Sequence, residues 1–371
     1  MKKPRILCIV VLTLMVFSLI DFAHADDYQI EFLLIGTNQD ITYDLEVIFP
    51  ENLYEYYADK SHRVISVDEF SGFVTPYIFE SVANKLWEVN NNEEDFANSA
   101  LMIVHQIDYE ETTPIKYPAE TMIEGKGDCD LFSIIAASII KAGGLDVVLL
   151  YYEEQTHMNI GVSLSSAPQD TRDSAYHVDY DNNRYYIAEC TGENWIEGWR
   201  VGECPPELKD VSAEVISLEN IEQVAPGQAS ASFTSLESSV IVLDVTPVIS
   251  LQNTDLSLRG QLSPSIENQN VTFYASVNNS PWKAIGSTNT KSNGYFQYLL
   301  KNEFSGMLSI RASWVGDNQY AGAVSSTKNV TIIPLIVLEL SILVSLLGVA
   351  GIILIFITKR SQIEQKQVEY W

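Results

Sequence analysis

The chain contains the stretch Gly125-Lys126-Gly127-Asp128-Cys129-Asp130, which leads into an apolar run from Leu131 to Lys141. The glycines allow a tight turn in which the backbone passes close to other groups. The apolar run predicts a helix that begins at Cys129. The first N–H groups of a helix are unpaired and its dipole is positive at that end, and both features stabilise a thiolate. The stretch therefore predicts a reactive thiol at a helix start.

Two later stretches, both typical of strands, carry His157 and Glu189. Together with Cys129 they supply a nucleophile, a base and an orienting carboxylate, which is the set that acyl transfer needs. A single cysteine is more often a small buried hydrophobic residue. From order alone the base and the acid also have rivals elsewhere in the chain: His105 and His177 for the base, and Asp179 and Asp181 for the acid.

Three segments resemble the motifs of the transglutaminase-like cysteine enzymes, and they are residues 117–130, 142–162 and 185–192. The resemblance extends from about residue 64 to residue 204 and is nearest to surface-located, often archaeal, members. It implies a papain-like α+β core. It also implies thiol acyl chemistry, either hydrolysis of a peptide or amide bond or transfer of the acyl group to an amine, and no cofactor.

The resemblance assigns the site residues. It makes Cys129 the nucleophile, His157 the base and Glu189 the acid that orients the histidine. Related sequences more often have Asp in place of Glu189, and they often carry a second acid where this chain has Leu131. The side chain of Gln106, with the backbone N–H of Cys129, is the candidate oxyanion donor. The alternative for Gln106 is an ordinary amide on a helix surface.

Both ends of the chain carry apolar runs. Residues 1–25 have the basic start, short apolar run and small-residue end of a secretory signal peptide, with cleavage expected before Asp26 and an uncut anchor as the alternative. The run within 334–358 predicts one transmembrane helix, with a buried core helix as the alternative. Lys359 and Arg360 follow, so residues 359–371 are expected to form a cytoplasmic tail. A single-pass cell-membrane protein with its bulk outside is the expected topology.

The composition is strongly acidic, with a formal net charge of −27. This balance argues against nucleic acid as a partner, because nucleic-acid sites need a basic surface. Asp179, Asp181 and Asn183 faintly resemble the start of a calcium loop, but a hairpin turn accounts for them better. No metal site is predicted.

The cysteines beyond the predicted signal peptide are Cys129, Cys190 and Cys204. Disulfides persist outside the cell, and an odd number of cysteines leaves one thiol free. We therefore expect a Cys190–Cys204 bridge across a short loop, which leaves Cys129 available. The alternative is that all three stay reduced.

The sequence changes character near residue 223. Residues 26–222 carry helical patterns at 76–89, 94–107 and 129–142, followed by strand patterns, and form the expected catalytic domain. Residues 223–237 are rich in Ala, Ser, Gly and Pro, which is typical of a linker. Short alternating strands over 238–333 predict an all-β sandwich. This part resembles the immunoglobulin-like spacer domains of microbial surface proteins, and it carries three glycosylation sequons, at Asn270, Asn278 and Asn329.

The expected fold class is therefore α+β: a transglutaminase-like, papain-like core, an immunoglobulin-like sandwich and one transmembrane helix. The expected function is that of a membrane-anchored extracellular cysteine enzyme that acts on a protein or peptide substrate. The alternative is a non-catalytic cell-surface protein that uses the same fold for binding or adhesion.

Overall fold

A computed structural model describes most of the chain: residues 27–37, 41–192, 194–234, 236–336, 347 and 349–356. The predicted signal peptide at 1–25 and the predicted tail at 359–371 lie outside the described residues, as does most of the 334–358 segment.

The first strands pair with a segment from far along the chain. Strands β1 and β2 are antiparallel, and β10 joins the free edge of β2 to complete a three-stranded sheet. Phe32 and Leu34 of β1 point into the core together with Leu45 and Val47 of β2. The bounds of these strands are Tyr28–Ile35 for β1, Thr42–Phe49 for β2 and Ser230–Ser232 for β10.

Three helices between residues 80 and 124 pack on one central helix, α5. Its residues 131–140 are all buried, as expected for a helix that is apolar on every side. The predicted helix over 129–142 is confirmed. The bounds are Glu51–Ala58 for α1, Glu80–Val89 for α2, Glu93–Val104 for α3, Pro118–Glu124 for α4 and Cys129–Ala142 for α5.

Helix α5 packs on a five-stranded antiparallel sheet of order β7-β8-β6-β5-β9. We call this the central sheet. One face contacts α5, and the other face carries a separate apolar cluster that includes Cys204 and Leu208. The strands are Asp146–Tyr152 (β5), His157–Ser163 (β6), His177–Tyr180 (β7), Asn183–Ala188 (β8) and Glu214–Ile216 (β9).

Residues 238–333, which we call the β region, form two sheets around one core. Strands β11, β13 and β16 make one sheet, and β12, β19, β17, β14 and β15 make the other, with β18 paired to β17. Phe273, Phe296 and Trp314 are buried between them. The strands are Val240–Thr246 (β11), Ile249–Leu251 (β12), Leu256–Ser263 (β13), Asn270–Val277 (β14), Lys283–Asn289 (β15), Tyr295–Leu300 (β16), Gly306–Gly316 (β17), Ala321–Val324 (β18) and Lys328–Ile333 (β19).

The predicted fold class is wrong. The described residues form mainly strands, nineteen of them, and few helices. The prediction gave too much weight to the strongly periodic helical segments before residue 142, because short strands leave weaker patterns. Nor is any helix of the described residues both long and apolar enough to cross a membrane, so the predicted transmembrane helix is not supported.

The segment 223–237 does not form an exposed linker between two parts of the chain. Ala225, Ala229 and Ala231 are buried in the first core. Ser230 Oγ also accepts a hydrogen bond from the N–H of Gly322, at 2.6 Å, in the β region. The predicted linker is thus wrong for these residues, because their small side chains allow close packing on both sides.

Arg311 joins the β region to the first helix. Its guanidinium donates to the carbonyl oxygen of Asn52 and to Thr327 Oγ1, both at 2.7 Å. It also lies over the rings of Tyr56 and Trp282. Burial lowers the pKa of Arg311. A buried cation therefore helps to hold the β region against residues 27–222.

Candidate active site

Two glycines shape the turn that places Cys129. Gly125 ends α4 with φ of +70°, a conformation that side chains rarely adopt. Gly127 has no room for a side chain, because a Cβ there would lie 2.9 Å from Thr121 Cγ2. Gly127 also belongs to the two-residue strand Lys126–Gly127 (β4), which pairs with Asp108–Tyr109 (β3). The turn therefore delivers Cys129 directly to the start of α5.

Ser133 ties the first turn of α5 to the central sheet. Its hydroxyl lies 2.7 Å from the carbonyl oxygen of Cys129 and 3.0 Å from that of Met158 on β6. The residue before Met158 is His157, so this fully buried hydroxyl holds the cysteine and the histidine at a constant separation.

Glu189 is buried and receives four hydrogen bonds. His157 Nε2 lies 2.9 Å from Glu189 Oε2, and Asn159 Nδ2 lies 3.2 Å from the same oxygen. The backbone N–H and the hydroxyl of Thr191 donate to Glu189 Oε1, at 2.9 and 2.6 Å. The side chain of Glu189 is 1% exposed, against 21% for His157. The carboxylate is thus held in one orientation, with the imidazole between it and the solvent side.

The environment shifts the pKa values of this pair in opposite directions. Burial alone would lower the pKa of His157, but hydrogen bonds to Cys129 and Glu189, together with their charges, raise it from 6.5 to about 10. Burial alone would raise the pKa of Glu189, but the hydrogen bond and charge of His157 and the bonds from Thr191 lower it. At neutral pH the imidazolium and the carboxylate are therefore the stable forms.

Cys129 helps to raise the pKa of His157, and its Sγ lies 4.0 Å from the carbonyl oxygen of Thr156, the residue before His157. The chain thus brings Cys129, His157 and Glu189, the three residues that the sequence predicted, into one neighbourhood. Because Nε2 faces Glu189, the Nδ1 atom is the one that can serve the thiol.

Acidic groups flank the cysteine. The carboxyl group of Asp130 has its pKa raised to about 8, first by burial and then by the hydrogen bond and charge of Asp128. Asp128 in turn accepts a 2.9 Å hydrogen bond from the N–H of Thr112. Burial and the nearby charge of Cys129 raise the pKa of Tyr109, which is half exposed beside the thiol. Tyr109 also lines a cleft of about 860 Å³ that Gly192 and Trp195 border.

Gln106 does not supply the oxyanion donor that the sequence predicted. Its amide nitrogen donates to the carbonyl oxygens of Leu33, at 2.9 Å, and Met102, at 2.8 Å. Its amide oxygen accepts from the N–H of Leu33 at 2.8 Å. These bonds fasten the end of α3 to strand β1, so the amide has a structural use that the helical pattern did not reveal.

The predicted Cys190–Cys204 bridge is absent, and the cysteines that the structure describes are all free. Cys190 packs with the cluster on the α5 face of the central sheet, whereas Cys204 packs with the cluster on the opposite face. A sheet separates the two sulfur atoms, and a disulfide cannot cross it. Burial raises the pKa of both thiols, that of Cys204 to about 11.

The rivals for the base and the acid lie elsewhere. His105 is buried, and its Nε2 lies 3.1 Å from the backbone carbonyl oxygen of Glu189. His177 lies 3.9 Å from Asp179, which pairs with Arg184 at 3.1 Å on an exposed hairpin. Asp181 forms the turn of that hairpin with positive φ, as the turn interpretation required. Within the described ranges no three His, Cys, Asp or Glu side chains are grouped to hold a metal ion.

The three sequon asparagines are all exposed in the β region. The Oδ1 of Asn278 accepts a 2.9 Å hydrogen bond from the N–H of Met307, and the Oδ1 of Asn329 accepts one of 2.8 Å from the hydroxyl of Ser309. Glycosylation at Asn270, Asn278 and Asn329 stays a prediction.

Sequence reasoning missed Asn159, Thr191 and Ser133. Asn159 could have been found, because it lies two residues after His157 on a strand and so shares its face. Thr191 stands in the third segment of the resemblance but was not given a role. Ser133 lies four residues after Cys129, one helical turn away, among apolar neighbours.

Comparison with known proteins adds no relationship. The sequence matches no family model and no curated protein. An LPMO from Kitasatospora papulosa aligns at 8% identity over 23% of this chain and 50% of its own, with a TM-score of 0.20. Alkylpurine DNA glycosylase AlkC from Pseudomonas fluorescens aligns at 11% identity over 27% of this chain and 32% of its own, again with a TM-score of 0.20. Similarity this low supports no argument about fold or function.

Proposed function

We propose that this protein is a cysteine enzyme that acts on peptide or amide bonds through an acyl-enzyme. One observation carries the proposal: His157, whose pKa Cys129 helps to raise, is bonded at 2.9 Å to the buried, fully hydrogen-bonded carboxylate of Glu189. A raised pKa and a specific charge partner are typical of functional sites. The motif resemblance supports the same chemistry, from independent features of the sequence.

In the proposed reaction the thiolate of Cys129 attacks the substrate carbonyl carbon and forms a C–S bond. The imidazolium of His157 gives its proton to the leaving amine as the C–N bond breaks. The product is a thioester on Cys129. Neutral His157 then takes a proton from water or from an amine, and that molecule displaces the sulfur. Glu189 keeps the imidazole in the required orientation throughout.

Hydrolysis and transfer share these residues and differ in the molecule that reaches the thioester. An assay with a peptide library, with and without an added primary amine, distinguishes the two outcomes by mass spectrometry.

The proposal is tested first by the reactivity of Cys129. We expect iodoacetamide to label Cys129 at neutral pH faster than it labels the buried Cys190 and Cys204. The variant His157→Gln should slow that labelling, and Cys129→Ala should abolish turnover of any peptide substrate found. Equal labelling in wild type and His157→Gln would favour the alternative, a non-catalytic binding protein.

A further inference from the structure

We propose that Asn159 is a positioning residue that holds the carboxylate of Glu189 for His157. The inference rests on the proposed function, because it assigns a supporting role within that site. Asn159 is fully buried, and its Nδ2 donates to Glu189 Oε2 at 3.2 Å. It thus binds the same oxygen atom that His157 binds at 2.9 Å.

The register of the central sheet makes this contact a property of the fold. Strands β6 and β8 are antiparallel, with Ile160 opposite Ala188. One further step along the same register places Asn159 opposite Glu189. Side chains alternate along a strand, so Asn159 shares its face with His157. The opposite face of the same strands carries the apolar residues that pack on α5.

The four hydrogen bonds to Glu189 are shared equally between its two carboxylate oxygens. Thr191 supplies both donors to Oε1, whereas Oε2 is held by His157 and Asn159. Thr191 is a near neighbour in the chain and moves with the strand end. Asn159 is anchored in β6, the strand that also carries His157. Its amide therefore fixes the carboxylate relative to the histidine.

The two polar atoms of the Asn159 side chain differ in their surroundings. Its Oδ1 is buried without a hydrogen-bond partner among the described residues. A buried polar atom without a partner costs free energy, and an apolar residue of similar size avoids that cost. The hydrogen bond that the amide of Asn159 does make goes to the carboxylate oxygen that also binds His157.

Asn90 offers a matched control in the same chain. It is also buried with an unpartnered Oδ1, but its Nδ2 donates to the carbonyl oxygen of Leu86 and to Ser99 Oγ. These bonds join α2 to α3, away from the site. Asn90→Leu therefore removes a comparable buried amide without touching Glu189.

The experiment compares Asn159→Leu with Asn90→Leu in the whole protein, by iodoacetamide labelling of Cys129 and by NMR titration of the His157 ring. For Asn159→Leu we expect labelling at neutral pH to slow about tenfold and the pKa of His157 to move towards 6.5, its ordinary value. Asn90→Leu should change neither quantity. The same labelling and pKa in Asn159→Leu as in wild type would overturn the proposal, and so would equal losses in both variants.

A wild-type measurement covers the case in which Asn159→Leu does not fold. The side-chain amide signals of Asn159 should shift as His157 titrates, because both groups bind one carboxylate oxygen. Signals that stay constant would refute the positioning role. If wild-type Cys129 is unreactive, the proposed enzyme function fails, while these NMR results still decide the role of Asn159.

Discussion

Residues 27–222 and the β region bury charged side chains in different places. The first part buries several ionisable groups: Glu46, His105, Glu120, Glu189 and Glu203. Within the β region the described residues bury a single charged side chain, Arg311, and it faces the first part through Asn52 and Tyr56. The interior of the β region itself is apolar, with Phe273, Phe296 and Trp314 at its centre.

The two parts therefore differ in where they meet the free-energy cost of a buried charge. A buried charge is costly unless it is paired and hydrogen-bonded. Residues 27–222 meet this cost at Glu189, where four donors, one of them His157, surround one carboxylate. The β region meets it only where it joins the rest of the chain. Substitutions in the first part should therefore change reactivity, and those in the β region should change stability.

The largest effect is expected in the β region. Trp314 is fully buried, and Trp314→Ala should lower the free energy of unfolding by about 3–5 kcal/mol through lost burial and a new cavity. Chemical denaturation measures this loss. The neighbouring Val315 is 48% exposed, and Val315→Ala should change stability by less than about 0.5 kcal/mol. If folded Trp314→Ala also labels slowly at Cys129, the two parts are coupled and the comparison fails.

The next effect is on reactivity. Glu189→Gln should slow turnover, or labelling of Cys129, by roughly ten- to a thousandfold, less than the comparable change in a serine triad. The amide can still bond the imidazole but cannot stabilise its charge, so the pKa of His157 should fall. Asp179→Asn is the control, because Asp179 lies on an exposed hairpin. If Glu189→Gln left turnover and labelling unchanged while Asp179→Asn abolished them, the acid would be misassigned.

A smaller effect concerns stability against pH. The pKa of His157 is raised from 6.5 to about 10 in the folded protein. Its charge therefore contributes stability that is fully present below pH 6.5 and is lost as the pH rises to about 10. His157→Gln lacks this contribution. The gap between the unfolding free energies of wild type and His157→Gln should narrow across that range, and a gap that stays constant would contradict the raised pKa.

The smallest effect is expected from reduction. Because Cys190 and Cys204 lie on opposite faces of the central sheet, reductant should leave the unfolding free energy unchanged. A non-reduced digest examined by mass spectrometry should contain both residues as free thiols. A crosslinked Cys190–Cys204 peptide from folded protein would require a rearranged sheet.

Local patterns were sufficient for the elements that carry the site. The apolar run after Cys129 predicted a helix over 129–142, and that helix forms with all of its middle residues buried. The alternation of the following segments predicted strands that carry His157 and end before Glu189, as β6 and β8 do. These features depend on near neighbours in the chain, so periodicity alone could predict them.

Long-range packing decided the features that sequence reasoning missed. The sequence alone allowed Gln106 to be an oxyanion donor, but in the folded chain its amide is hydrogen-bonded to the backbone of Leu33 on β1. Residues 223–237 have the composition of a linker, yet they contain β10, which pairs with the free edge of β2. The fold class failed for a related reason, since the pairing of many short strands is set by partners that are distant in sequence.

The sequence by itself determined that a thiol would stand at a helix start, that a histidine would follow on a strand and that a carboxylate would come next to the end of another strand. Helix dipoles, glycine turns and strand alternation are local properties, because they depend on residues that are close together in the sequence. The tertiary structure alone decided which face each cysteine occupies and that Asn159 meets Glu189 beside His157. Those contacts depend on the register of β6 against β8, and that register forms only when β6, packed on α5, pairs with β8.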